Sequence, residues 1–282
     1  MSHKRSTVWM HYAVAGISRA LLLFVIAIFL FPLLWMVDTA LKPNIQVFQF
    51  PPSLIPWTTM WGNFEEAWNF VPFGRYVFND VIISTIGTLV VLVTSSMAAF
   101  AFSRLRFRGR ESIFLLYVGT LAVPQAVLVI PEFLIMKQIG WVDSYQGVIF
   151  PLAFTAFGTF LLRQFFRGLP TELDDAAFID GCSRWGILLR IIIPLSKPAL
   201  GVLGLFTFVG YWNNFLWPLI ILQSTDMSTV PLGLYQFHGQ FAIEFNYQMA
   251  GCAISMAPGI VLVILLQRYL VDGISIGGFG GR

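Results

Sequence analysis

Residues 20–37, ALLLFVIAIFLFPLLWMV, run without a single charged side chain, and no other feature constrains this chain more. A helix needs about 20 mostly apolar residues to cross the hydrocarbon core of a bilayer. Comparable stretches recur at 81–102, 112–131, 147–166, 199–222 and 249–267. Only 11% of the residues are charged and 57% are hydrophobic, whereas a soluble domain carries about 25% charged residues. In hydrocarbon the backbone must satisfy its own N–H and C=O groups, so helices or closed barrels are the available solutions. Runs of this length suit helices. The expected fold class is therefore an all-α polytopic membrane protein with six transmembrane helices.

Lys4 and Arg5 precede the first run, as in a signal peptide, but the run is longer than a signal h-region and no small-residue cleavage site follows. It reads as an uncleaved anchor. Basic residues collect on the cytoplasmic side of a membrane. Of the 17 Lys and Arg residues, all but Lys42, Arg75 and Lys137 fall on one side of the six runs. The segment "SRLRFRGRE" between the second and third runs is the strongest marker. Both termini are expected in the cytoplasm. The expected organisation is a cytoplasmic segment 1–19, one transmembrane domain 20–270 with a cytoplasmic loop at 167–198, and a cytoplasmic tail 271–282. A basic cluster at a membrane edge is explained by orientation, so no nucleic-acid partner is expected.

The loop 167–198 holds "ELDDAAFIDG", an unusual concentration of acids for so apolar a chain. Pro170 and Thr171 make a helix start, with Thr171 as N-cap and Asp174 in a capping-box position. Glu172, Asp174 and Asp175 suit the positive end of the helix dipole. Gly181 suits a left-handed C-terminal stop, and Ser183 suits the cap of a second helix running through Ile191. Leu173, Ala176, Ala177 and Asp180 share a face on this spacing, and the two alanines leave it shallow enough for another surface to approach closely. The tripeptide Asp175-Ala176-Ala177, then three residues, Gly181, nine residues and the run Ile191 to Pro194, resembles the EAA motif of ABC importer permeases. Asp175 stands for the family's glutamate and Ile193 for its leucine. Six runs, their polarity and the motif between the fourth and fifth agree with that family.

The resemblance implies the type I importer permease (MetI-like) fold and a coupling role for Glu172, Asp175, Ala176, Ala177, Gly181, Ile191 and Pro194. In that family this loop sits in a cleft of an ATPase subunit. The implied partners are a homologous second permease, two ATPase subunits, an extracytoplasmic substrate-binding protein and the lipid bilayer of a bacterial or archaeal cell membrane. None of Lys4, Lys42, Lys137 and Lys197 follows a glycine, so no P-loop pattern exists. ATP and magnesium are then expected on the ATPase partner, with no cofactor or metal in this chain and no catalytic residues. His3, His11 and His238 are scattered, and Cys182 and Cys252 make no disulfide framework.

Within the family the chain resembles the MalG-type permeases of carbohydrate uptake, on "LPTELDDAAFIDGCSRW", "WNNFLWPLI" and the tail "VDGISIGGFGGR". That tail, by the same resemblance, reaches the ATPase subunits. Amide side chains inside a span face a bundle interior or a cavity, and aromatic rings beside amides suit a sugar's apolar faces and hydroxyls. Gln125, Tyr211, Trp212, Asn213, Asn214 and Trp217 are the substrate-path candidates, with Asn213 and Trp217 on one helical face. Glu132, beside Pro131, is a further one. Helix–helix bonding by the amides is the alternative. A permease for glycerol-3-phosphate or a related phosphate ester is the rival substrate reading, and a secondary transporter the rival from another class.

Overall fold

The computed structural model describes residues 2–237 and 244–278. Residues 238–243, including His238, and the last residues of the expected tail lie outside the described residues. Helices at Gly16–Ala40, Phe73–Arg104 and Phe245–Leu265 are each long and apolar enough to cross a membrane. Three bent pairs pass the same test together, giving up to six spans among the described residues if each pair counts as one. The pairs are Arg110–Ala122 with Gln125–Gln138, Tyr145–Leu152 with Ala156–Arg167, and Arg184–Leu195 with Lys197–Trp212.

The bends correct the expectation of continuous runs, and proline explains them. At 102°, the first is the sharpest. It falls at Pro124, which forces Val123 into extended backbone (φ −84°, ψ 117°). The second is 49° and follows Pro151, and the third is 80° and precedes Pro198. The run 199–222 is also interrupted. Its helix stops at Trp212 and resumes at Leu216–Ile221. Pro218 has no N–H for the carbonyl of Asn214, and its ring would clash there in a continuous helix. At the other end of the chain, the helix Phe245–Gly278 continues through most of the segment expected as a tail.

The chain divides into two compact units. One comprises Met1–Val71 and Gln236–Ile254, the other Pro72–Tyr235 and Ser255–Arg282. In the first unit, buried polar side chains order the loop after the first span. Asn63 Nδ2 donates to the carbonyls of Ala40 and Lys42, and Gln46 bonds Ser53, Ile55 and Trp57. The first span is buried inside the chain only at its end, at Thr39 and Ala40, so the apolar surface before them is available to lipid or to another subunit.

In the second unit the helix Phe73–Arg104 is central and packs chiefly on Ala156–Arg167 and Lys197–Trp212. Apolar surface drives no helix association in lipid, so close packing and interhelical hydrogen bonds must. Small residues supply the first. A Cβ on Gly87 would lie 2.6 Å from the Tyr211 ring, and one on Gly158 would lie 2.5 Å from Ser95 Oγ.

Candidate functional site

The acidic segment forms the helix Glu172–Ile179. Gly181 stops it at φ +78°. The amide of Gly181 donates to Phe178 O at 3.1 Å and that of Cys182 to Ala177 O at 2.9 Å, the paired bonds of a Schellman stop. Ser183 Oγ then accepts from the Gly186 amide and starts the next helix. That helix widens into a π turn at Leu188–Ile192 just before Pro194. Ile191 is half-buried and Pro194 exposed.

The start of the acidic helix differs from expectation. Thr171 is itself helical and makes no capping bond. Asp174 is not free to complete a capping box, because its Oδ2 lies 3.0 Å from Arg104 Nε in an ion pair. Burial, the larger influence, holds the Asp174 carboxyl above the ordinary aspartate range even though Arg104 pulls it down.

The expected shallow face is also divided. Ala177 turns inward and packs in a cluster with Leu162, Phe166, Ile187 and Leu188. Glu172, Asp175 and Ala176 are exposed. So are Phe178, Ile179 (88% exposed) and Trp185. Apolar and acidic side chains of the same short helix are therefore both presented outward, and Ala177 anchors the helix from behind.

The substrate-path candidates do not converge. Asn213 caps the end of Lys197–Trp212 and Trp217 lies beyond the break, so the two share no helical face. Tyr211 is buried and its hydroxyl donates to Ile149 O at 2.8 Å. Trp217 is also buried, and its Nε1 donates to Gly147 O at 2.9 Å. Both serve packing. Asn214 Oδ1 accepts from the Trp217 amide and helps restart the helix. Gln125 Nε2 donates to Glu132 Oε2 at 2.9 Å across two turns of one helix. A cavity of about 430 Å³ is lined by Phe208, Trp212, Asn213, Ser255 and Met256 among others. Trp212 stacks on Phe208 at 6.0 Å and donates to Ser255 O. Among the described residues, no charged side chain lines this cavity.

Sequence reasoning passed over two polar arrangements. Arg163 is almost fully buried, reaches both carboxylate oxygens of Glu111 at 2.7 Å and stacks its guanidinium on Phe114. Its position inside an apolar run was the available signal. Asp143 adopts φ 56° and receives the amides of Gln223 and Ser224 and the Ser224 hydroxyl on one oxygen. Partial burial raises the Asp143 carboxyl's pKa, but these three bonds together hold it below the ordinary range.

The chain is similar to known proteins over most of its length. Residues 91–276 match the family described as "Binding-protein-dependent transport system inner membrane component". The arabinooligosaccharides transport system permease protein AraQ of Halalkalibacterium halodurans is 35% identical over 263 residues, 92% of this chain and 94% of that protein. The sn-glycerol-3-phosphate transport system permease protein UgpE of Pectobacterium atrosepticum is 35% identical over 265 residues, 91% and 94% of the two chains. A solved bacterial ABC transporter involved in the import of the acidic polysaccharide alginate has the same fold. Its matching chain gives a TM-score of 0.79 at 23% identity, over 91% of this chain and 96% of that one. The chain belongs to the family of binding-protein-dependent transport system inner membrane components.

Proposed function

We propose that this chain is one permease subunit of an ATP-driven importer that takes up a sugar or oligosaccharide. It pairs with a homologous second permease, two ATPase subunits and an extracytoplasmic binding protein. ATP and magnesium belong to the ATPase subunits, and both termini of this chain face the cytoplasm. The observation that carries the reading is the acidic helix Glu172–Ile179, stopped at Gly181, with Ala176, Phe178 and Ile179 turned outward. Such a patch fits a cleft on a soluble subunit better than a lipid surface, since interfacial helices favour a Lys- and Arg-rich polar face. Closure of the ATPase subunits on ATP then displaces this helix and, with it, the spans behind it.

For the substrate, the support is the uncharged cavity beside Trp212 and Asn213, which offers an aromatic ring and an amide. A relative named for arabinooligosaccharides supports the same class. A relative of equal identity named for sn-glycerol-3-phosphate supports the second reading, in which the second permease supplies the cation for the phosphate. Vesicles containing the complete transporter and loaded with ATP separate the two. The first reading expects uptake of labelled arabinooligosaccharide that unlabelled glycerol-3-phosphate does not compete. Uptake of glycerol-3-phosphate alone overturns the sugar assignment, and uptake that persists without ATP overturns the importer itself.

A further inference from the structure

The acidic helix is joined through the chain to the helices before and after it. The central helix Phe73–Arg104 has no such link, so any movement it receives from the acidic helix crosses space. Ala99 and Phe100 pack in one apolar cluster with Ala177, and the last residue, Arg104, adds the polar contact. Arg104 Nε lies 3.0 Å from Asp174 Oδ2 in the first turn of the acidic helix. Arg104 Nη2 also donates to the carbonyl of Leu169 at 2.9 Å, in the turn that leads into that helix. One guanidinium therefore holds both the lead-in and the first turn. The Nη2 bond holds the guanidinium in place, and the Nε contact with Asp174 is a charge contact without an aligned hydrogen bond; a lysine ammonium, a single point charge, would not span both acceptors.

Exposed ion pairs contribute little and tether loosely, but this pair is shielded, with side-chain exposures of 7% for Arg104 and 18% for Asp174. Neighbouring Glu172 and Asp175 point outward. The acids of one turn are thus divided between an outer face and an inner anchor. The central helix in turn packs along the helices Ala156–Arg167 and Lys197–Trp212, the second of which carries Trp212 at the uncharged cavity.

We infer that the Arg104–Asp174 pair is the strut that transmits displacement of the acidic helix to the central helix, with Arg104 as a positioning residue. The inference rests on the reading of the acidic helix as the part that receives movement from an ATPase subunit. Asp174→Asn, Arg104→Gln, the double variant and Arg104→Lys test it in the complete transporter. Three quantities are measured: the ATPase subunit recovered with the chain, ATP hydrolysis per complex, and uptake per ATP hydrolysed. The strut requires the two single variants to keep hydrolysis per complex yet lose at least tenfold in uptake per ATP. It requires the double variant to be no worse than either single one, and Arg104→Lys to recover only part. Unchanged uptake per ATP overturns the strut, including where the amount of complex falls, because a merely structural role predicts that pattern. Additive losses in the double variant overturn it too. A wild-type chain that recovers no ATPase subunit overturns the underlying reading and the strut together.

Discussion

Trp217 and Gly147 are locked together across the second unit: the indole Nε1–H donates to the Gly147 carbonyl at 2.9 Å, and the glycine has no room for a side chain. A Cβ there would sit 2.0 Å from the backbone oxygen of Trp141. Backbone cannot give way as a flexible side chain can. Gly147→Ala should therefore destabilise by about 2–3 kcal/mol, the range of an overpacked core. Gly210 meets open space, and Gly210→Ala should be neutral or stabilising by up to about 1 kcal/mol through helix propensity. Thermal unfolding of the two variants in detergent measures the contrast.

Trp217→Phe and Tyr211→Phe each remove a donor and leave a buried carbonyl, Gly147 or Ile149, without its partner. Each should cost about 1–3 kcal/mol of stability. Uptake per assembled complex should change little, since neither ring faces the cavity beside Asn213. A fall in uptake at unchanged stability would return these two residues to the substrate path.

The apolar runs, their number and the motif around Gly181 were legible in the sequence because each is a local pattern with one physical cause. Length and hydropathy set the spans, and a left-handed helix stop favours glycine. The direction in which Tyr211, Trp217 and Ala177 point was not legible. An aromatic residue with a polar tip reads alike whether that tip meets a substrate or a backbone carbonyl across the bundle. The break after Trp212 was legible in principle: Pro218 stands four residues beyond Asn214, and its effect on that carbonyl follows from chemistry alone. The partners of Asp174 and Asp143 lie far away in sequence, and no pattern announces them.

Asp143 fixes the start of the segment 223–229 through three hydrogen bonds to one oxygen. Its pKa is depressed in the folded chain, so the charged form is the one that folding favours. That contribution is fully present above the ordinary aspartate value of about 3.9 and is lost as pH falls through the lower folded value. Asp143→Ala should speed hydrogen exchange at the Gln223 and Ser224 amides at neutral pH on the order of five- to tenfold, equivalent to one net hydrogen bond. Wild type should approach the variant only at pH values below the ordinary aspartate range. Equal exchange in both at neutral pH would remove the clamp.

Asn213 lines the uncharged cavity, whereas Asn214 bonds the backbone of the restarting helix. Asn213→Leu should lower uptake of a sugar more than tenfold if it binds a hydroxyl, because a site built to bond a hydroxyl discriminates strongly when that bond is lost. Assembly should stay near normal. Asn214→Leu should do the reverse, lowering recovery of folded protein with little change in uptake per complex. Parallel losses in both would make the amides helix–helix contacts only.

The central claim is that the outward patch of the acidic helix docks on an ATPase subunit, and Ile179 is its most exposed apolar side chain. With Cys182 and Cys252 replaced by serine, Ile179→Cys should be joined to the ATPase subunit by a short reagent that reacts with a thiol at one end and is photoactivated at the other, in the assembled transporter. The yield should change when ATP binds. Leu188→Cys, buried behind the patch, should not cross-link. An assembled transporter in which Ile179→Cys gives no such product, or reacts instead with an impermeant reagent added outside intact cells, would contradict the account.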